Sequence, residues 1–223
     1  MPNELKLMFA EELRIHDVNA LARTCRAMNE LLTRFMYSRF RKSRTKQRRP
    51  YFLLAVDDGN LAAVERFLDV GALMGITDTV HFLLPTALHS CAHFGHVEIL
   101  ELLIDRGIEV PYNIRVDNCI METPLHLAAR RSNVRLVELL LDLGSDPNVP
   151  NRLGHRPVHY AASNSNAATV RCLLEAGKNV EIADYDRRTP LHFAAMHART
   201  EIVKVLLEMG ANPSPFEIGR AHV

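Results

Sequence analysis

Three copies of one pattern dominate this chain. Thr123–Gly144 runs from Thr-Pro-Leu-His-Leu-Ala-Ala to Leu-Leu-Leu-Asp-Leu-Gly. Arg156–Gly177 opens Arg-Pro-Val-His-Tyr-Ala-Ala, and Thr189–Gly210 opens Thr-Pro-Leu-His-Phe-Ala-Ala. The starts at 123, 156 and 189 are spaced by 33 residues, and each unit reaches its glycine 21 residues after it starts. A fixed period of this length selects a stack of similar local units over a single closed core. Within a unit, Thr123 and Thr189 stand where a helix N-cap belongs, and Pro124 and Pro190 stand at the first helical position, where the missing N–H costs nothing. Ala128 and Ala129 are small enough for a second helix to approach. Val134, Leu136, Val137, Leu140 and Leu141 form that helix's apolar stripe, and Gly144 suits its left-handed end. One such helix pair cannot cover its own apolar face, so neighbouring pairs must cover it.

The Thr-Pro-Leu-His-x-Ala motif at this period resembles the ankyrin repeat. The resemblance implies an all-α ankyrin-repeat solenoid: stacked helix-loop-helix units with short β-hairpin loops. It also implies a groove formed by the first helices and the hairpin tips, which binds protein partners. The phase extends upstream. A repeat at Thr86–Gly107 keeps Thr86, Leu88, His89 and Gly95-His96, and a degenerate one starts near Pro50 and ends at Gly71. About five repeats therefore span 50–214, with starts near 50, 86, 123, 156 and 189. The longer steps of 36 and 37 residues imply lengthened surface loops near Met74–Leu84 and Val110–Met121. Asp146-Pro147-Asn148 and Asp184-Tyr185-Asp186 carry turn chemistry. Gly154 falls at a loop tip where positive φ is expected, and Arg187 occupies the equivalent place with a side chain that makes it costly. The last repeat breaks off near Ser214. Residues 217–223, Glu-Ile-Gly-Arg-Ala-His-Val, resemble the translation of a sequencing adapter. They are read as a non-native tail, with further repeats following in the natural protein. Finding these codons in genomic DNA would refute that reading.

The first 40 residues have a different pattern. Apolar sets at Leu5, Met8, Phe9 and Leu13, at Leu21, Ala22 and Cys25, and at Met28, Leu31, Leu32, Phe35 and Met36 predict three short helices. Such a segment is small for a free-standing fold. Pro2, Glu4, Leu5, Asp17, Val18, Leu21, Thr24, Cys25, Arg26, Leu31 and Leu32 resemble an F-box. The departures are Met1 and Val18 in place of leucines, and the absence of tryptophan. An F-box followed by ankyrin repeats resembles a fungal arrangement. It implies docking on a Skp-type adaptor of a cullin ubiquitin ligase, with Pro2, Leu5, Met8, Phe9, Leu21 and Leu31 as the adaptor-binding residues. The competing reading is that these helices only cap the stack of a non-ligase scaffold or sequestering protein. Residues 41–49 continue a basic run from Arg39, read as a solvated linker with nuclear import as the alternative.

Composition and missing motifs narrow the function. The chain is 223 residues long with net charge +1, so its overall field points to neither nucleic acid nor an anionic membrane. No apolar run is long enough to span a bilayer. Four cysteines without C-x-x-C read as reduced thiols, favouring cytoplasm or nucleus. Nucleotide-binding, zinc-protease and nucleophile-elbow motifs are lacking, so no enzyme, cofactor or metal is expected. His89, His126, His159 and His192 are the motif histidines, and the resemblance gives them structural hydrogen bonds rather than a metal. The expected work is protein binding, with an unidentified protein as the recruited substrate. Motif position assigns His93, Phe94, Arg130, Arg131, Tyr160, Asn164, Phe193, Met196 and His197 to the groove, with Arg152 and Tyr185 at the tips. Arg131, Tyr160 and Phe193 are the first choices, because aromatic and arginine side chains are favoured hot spots.

Overall fold

The structure, a computed structural model, describes residues 51–69, 87–108, 112–113, 115, 120–164 and 166–213. The chain divides into two compact units at Val110/Pro111. The F-box-like segment, the basic linker, most of both inserted loops and the 217–223 tail lie outside the described residues.

In the first unit, α1 (Tyr51–Asp57) and α2 (Leu61–Asp69) form one antiparallel pair. The helical residues 87–94 (α3) and α4 (Val97–Asp105) follow. The turn between α1 and α2 is fixed by Asn60, whose Oδ1 accepts from the Ala63 N–H at 3.1 Å. Phe52, Val56, Val64, Leu88, Cys91, Ile99, Leu100 and Leu103 form the buried interior. The His96 Nε2–H donates to the Asp57 carbonyl at 3.0 Å, tying the second turn to the first pair.

The second unit holds α5 (Pro124–Arg131), α6 (Val134–Asp142), α7 (Pro157–Ser163), α8 (Ala167–Gly177), α9 (Pro190–Met196) and α10 (Thr200–Glu208). The first helices pack α5 on α7 on α9, and the second helices pack α6 on α8 on α10. Each pair is closed on itself as well. The apolar stripe of α6 is spent on these contacts: Leu136, Val137 and Leu140 are fully buried, as are Val170 in α8 and Leu206 in α10. Asn133 and Asn166 cap α6 and α8, accepting from Leu136 N–H at 3.1 Å and Ala168 N–H at 3.0 Å. The turns are also linked from repeat to repeat. Asn166 Nδ2–H donates to Ser132 O at 3.2 Å, and one repeat on, Arg199 Nε–H donates to Ser163 O at 2.8 Å.

The motif histidines hold the stack in register. The Thr123 N–H and hydroxyl both donate to His126 Nδ1, at 3.1 and 2.7 Å. That leaves Nε2 as the protonated nitrogen, and it donates to His155 O of the next loop at 3.1 Å. His159 repeats the arrangement, accepting from Arg156 N–H at 3.0 Å and donating to Ile182 O at 3.1 Å.

Two local expectations are modified. Short β-hairpins were expected between repeats, but no strand forms among the described residues. Pro147 and Pro150 remove donors from the loop before α7. Asn151 supplies side-chain bonds instead, its Oδ1 accepting from Leu153 and His155 N–H at 2.9 and 3.0 Å. Gly144 has φ +91° as expected, but Gly177 is the last helical residue of α8 and Lys178 takes the left-handed position at φ 55°.

Candidate protein-binding surface

The loop tips and first helices of the second unit share a ladder of aromatic and charged side chains. At one end Arg130 pairs with the buried Glu122 carboxylate at 3.1 Å and lies 5.9 Å from the Tyr160 ring centroid. Asn151 Nδ2–H donates to the Tyr160 hydroxyl at 3.1 Å. Burial, then the nearby Glu122 charge, pushes that hydroxyl up to about 12. Next comes His155, edge-on to Tyr160 at 5.7 Å and to Phe193 at 5.0 Å. At the other end Arg188 lies 5.3 Å from the Phe193 centroid and pairs with Asp184 at 2.9 Å and Asp186 at 2.7 Å. Burial opposes charge on Asp184, but hydrogen bonds from the Arg188 backbone and guanidinium hold its carboxyl below the usual range. His155 Nε2 is 3.2 Å from the same carboxylate, and burial nonetheless lowers its pKa. The ladder is thus internally matched, a platform for side chains outside it.

The tips are stacked in the same direction. Arg152 N–H donates to Ile120 O at 3.0 Å, and Tyr185 N–H donates to Leu153 O at 3.4 Å. A Cβ on Gly154 (φ +77°) would lie 2.5 Å from the Tyr185 amide nitrogen, so only glycine lets the two tips meet. Arg187, its counterpart one repeat on, adopts φ +66° with a full side chain.

The residues assigned to the groove fall into two groups. Tyr185 is 68% exposed and Met196 65%, and Arg131, Arg152 and His197 are also exposed. In the first unit Phe94 is 52% exposed, with His93 edge-on at 4.8 Å. Others are drawn into the framework. Phe193 is only 8% exposed, clamped by His155, His159 and Arg188, so its ring supports the surface from below. Tyr160 is half-buried in the ladder, and Arg130 is tied to Glu122. Asn164 is occupied with main chain: its Nδ2–H group donates to Arg130 O at 2.5 Å. Motif counting did not single out His155 or Arg156. His155 sits at a variable motif position and gains its place only when Tyr160 and Phe193 flank it. The Arg156 guanidinium joins two loops, donating to Ala183 O at 2.7 Å and Asn148 O at 3.1 Å.

The family model for ankyrin repeats, in three copies, matches residues 52–151 and 136–216. The chain is an ankyrin-repeat protein. Its ankyrin units account for the paired helices and the histidine clamp, and ankyrin repeats indicate a module for protein–protein interaction. No F-box domain is detected in the N-terminal region, and no curated protein matches the chain. Among the described residues no His, Cys, Asp and Glu cluster is arranged to hold a metal. Burial pushes the Cys91 thiol up to about 12 and also raises Cys172, so neither is a ready nucleophile. No described helix is long and apolar enough to cross a membrane.

Proposed function

We propose that this ankyrin protein is a recruiting adaptor: the first-helix and tip face of 120–213 binds a protein, and residues 1–40 dock on a Skp-type adaptor of a cullin ubiquitin ligase. The observation that carries the binding half is an asymmetry of burial. Leu136, Val137 and Leu140 of α6 are consumed by packing, and Leu207 (42% exposed) is the large apolar side chain left exposed on the described second helices of this unit. By contrast, Leu153 (51% exposed), Tyr185 and Met196 remain open on the tip and first-helix side. Large apolar groups left open on a packed framework are what an interface uses as anchors. The ligase half rests on the sequence resemblance of Pro2, Leu5, Met8, Phe9, Leu21 and Leu31 to F-box positions.

Each half has its own experiment. A photo-crosslinking residue at Met196 captures a protein that the same residue at Leu207, exposed on α10, does not. Equal capture from both positions rejects the binding face. The intact chain pulls down a Skp-type adaptor, and replacing Leu5 and Phe9 by aspartate abolishes this without lowering the melting temperature of the repeats. No pulldown, under conditions where a known F-box protein binds, leaves a scaffold or sequestering protein.

A further inference from the structure

The second helices carry a groove that neither the stack nor the tip face uses. It has a volume of about 440 Å³ and lies between α6 and α8, with Leu139 and Leu141 on one wall and Cys172 and Ala176 on the other. The 33-residue register shows its origin. Cys172 stands where α6 has Leu139 and α10 has Val205, and Ala176 stands where they have Leu143 and Met209. Thr169, on the same face of α8, stands where they have Leu136 and Ile202. Helix α8 therefore meets α6 with less bulk than the pattern provides. It also leaves a hydrogen-bonding group unused, since Thr169 is fully buried and its hydroxyl has no partner. The rim is charged. Glu138 and Asp142, one turn apart on α6, line the groove, and Glu175 stands one turn after Cys172 on α8. None of these three carboxylates is in an ion pair among the described residues. Neighbouring cations are taken by other carboxylates, Arg171 by Glu208 at 2.6 Å and Lys204 by Glu201 at 2.8 Å. Arg135 lines the groove at the start of α6, so three carboxylates face one cation and the rim is net negative. Burial first, then the charges of Glu138, Glu175 and Asp142, raise the pKa of the Cys172 thiol, so the field of all three reaches the groove wall.

We infer that this groove is a second docking site, which takes a basic peptide segment carrying a large apolar side chain. The apolar side chain fills the space that Cys172 and Ala176 leave. Lysine or arginine side chains flanking it meet Glu138 and Asp142 on one wall and Glu175 on the other. Charge selects this occupant. An acidic peptide, a nucleic acid or an anionic membrane would bring further negative charge to a rim that is already negative. Complementary charge at an exposed rim sets register and association rate, so binding should weaken with salt. The groove lies on the second-helix side and does not depend on the tip face. Leu207 of α10, the crosslinking control for that face, is outside the groove lining.

Fluorescence anisotropy with the full chain tests this. The probe is a labelled lysine peptide of about ten residues with two central leucines, long enough to pass both carboxylates of α6. Binding should weaken about tenfold between about 50 and about 300 mM NaCl. An all-lysine peptide should bind about fivefold more weakly, and a glutamate–leucine peptide and an oligothymidylate at least about tenfold more weakly. Glu138→Lys should lose about tenfold, whereas Glu201→Lys, the same charge change on α10 outside the groove, should change affinity less than about twofold. Cys172→Leu installs the residue that α6 has at this place and alters no charge. It fills the groove and should lose about fivefold. Saturating peptide should also slow alkylation of Cys172 by iodoacetamide about fivefold, read from the mass of the proteolytic fragment that contains it. Melting curves establish that each variant is folded, and Glu138 is exposed, so at least that variant stays testable. The inference is overturned by no binding of the lysine–leucine peptide, by equal binding of its glutamate counterpart or of the oligonucleotide, by unchanged affinity in folded Glu138→Lys, or by unprotected Cys172. Self-association of the free chain that Cys172→Leu abolishes would give the groove to a second copy and overturn the inference as well.

Discussion

Protonating His126 at Nδ1 would turn an acceptor into a donor facing the Thr123 N–H, while its Nε2–H is already committed to His155 O. Burial is the main cause that takes the imidazole's pKa from 6.5 down to about 4, and burial takes His159 to about 4 as well. Between these values the unfolded chain holds more protons than the folded one. Stability is therefore complete above about pH 6.5 and lost as pH falls toward 4. The melting temperature should drop by about 5–10 °C between about pH 7 and about pH 4.5, and His126→Gln should flatten part of that slope. A melting temperature unchanged across this range would show that the histidines do not fold as neutral clamps. Asp184 weakens the fold in the same direction but at lower pH, because its folded carboxyl lies below the ordinary 3.8. The two tip positions should respond oppositely. Gly154→Ala forces a Cβ onto the Tyr185 amide at positive φ and should cost about 1–3 kcal/mol. Arg187→Gly relieves positive φ and should gain up to about 1 kcal/mol, both read from denaturant midpoints.

At the scale of the helices, the second helix of each pair carries the burial. Leu136→Ala or Leu140→Ala in α6 should destabilise by about 2–5 kcal/mol, since both side chains are fully enclosed; Leu207→Ala on the exposed face of α10 should cost under about 1 kcal/mol. Chemical denaturation distinguishes them, and equal costs would mean the stripe does not face the stack. These helices were legible in the sequence because their signals are local. Thr-Pro starts α5 and α9, the Leu-Val-x-Leu-Leu run makes α6, and the 33-residue period puts identical faces together. The loops were less legible. Expecting β-hairpins assumed a main-chain ladder, whereas the prolines before α7 remove donors and Asn151 replaces them. Of the proposed surface, Tyr185, Met196 and Arg152 could be placed from motif position alone. Phe193 could not, because its burial depends on His155 and Arg188, contributed by the preceding loop and by its own. His155 leaves no motif signal of its own.

For the second unit as a whole, the pattern of contacts decides how it fails. Each pair touches only the next: α5 meets α7 but not α9 in the main packing, and α6 meets α8 before α10. In such an array stability is a sum of unit terms and nearest-neighbour interface terms. The middle pair, α7 with α8, has a described neighbour on both sides, so damage there weakens two interfaces at once. Leu173, buried in α8, is the test position. Leu173→Ala should speed amide hydrogen exchange in α8 and also in α6 and α10, whereas Ile202→Ala in α10 should speed exchange in α10 and α8 more than in α6. The clamp makes the coupling directional at the loops, because His126 and His159 each reach forward to the carbonyl of the following repeat. Exchange that rises only within 167–177 for Leu173→Ala would mean the pairs are independent hairpins lying side by side, and the rigid tip surface assumed for partner binding would lose its support.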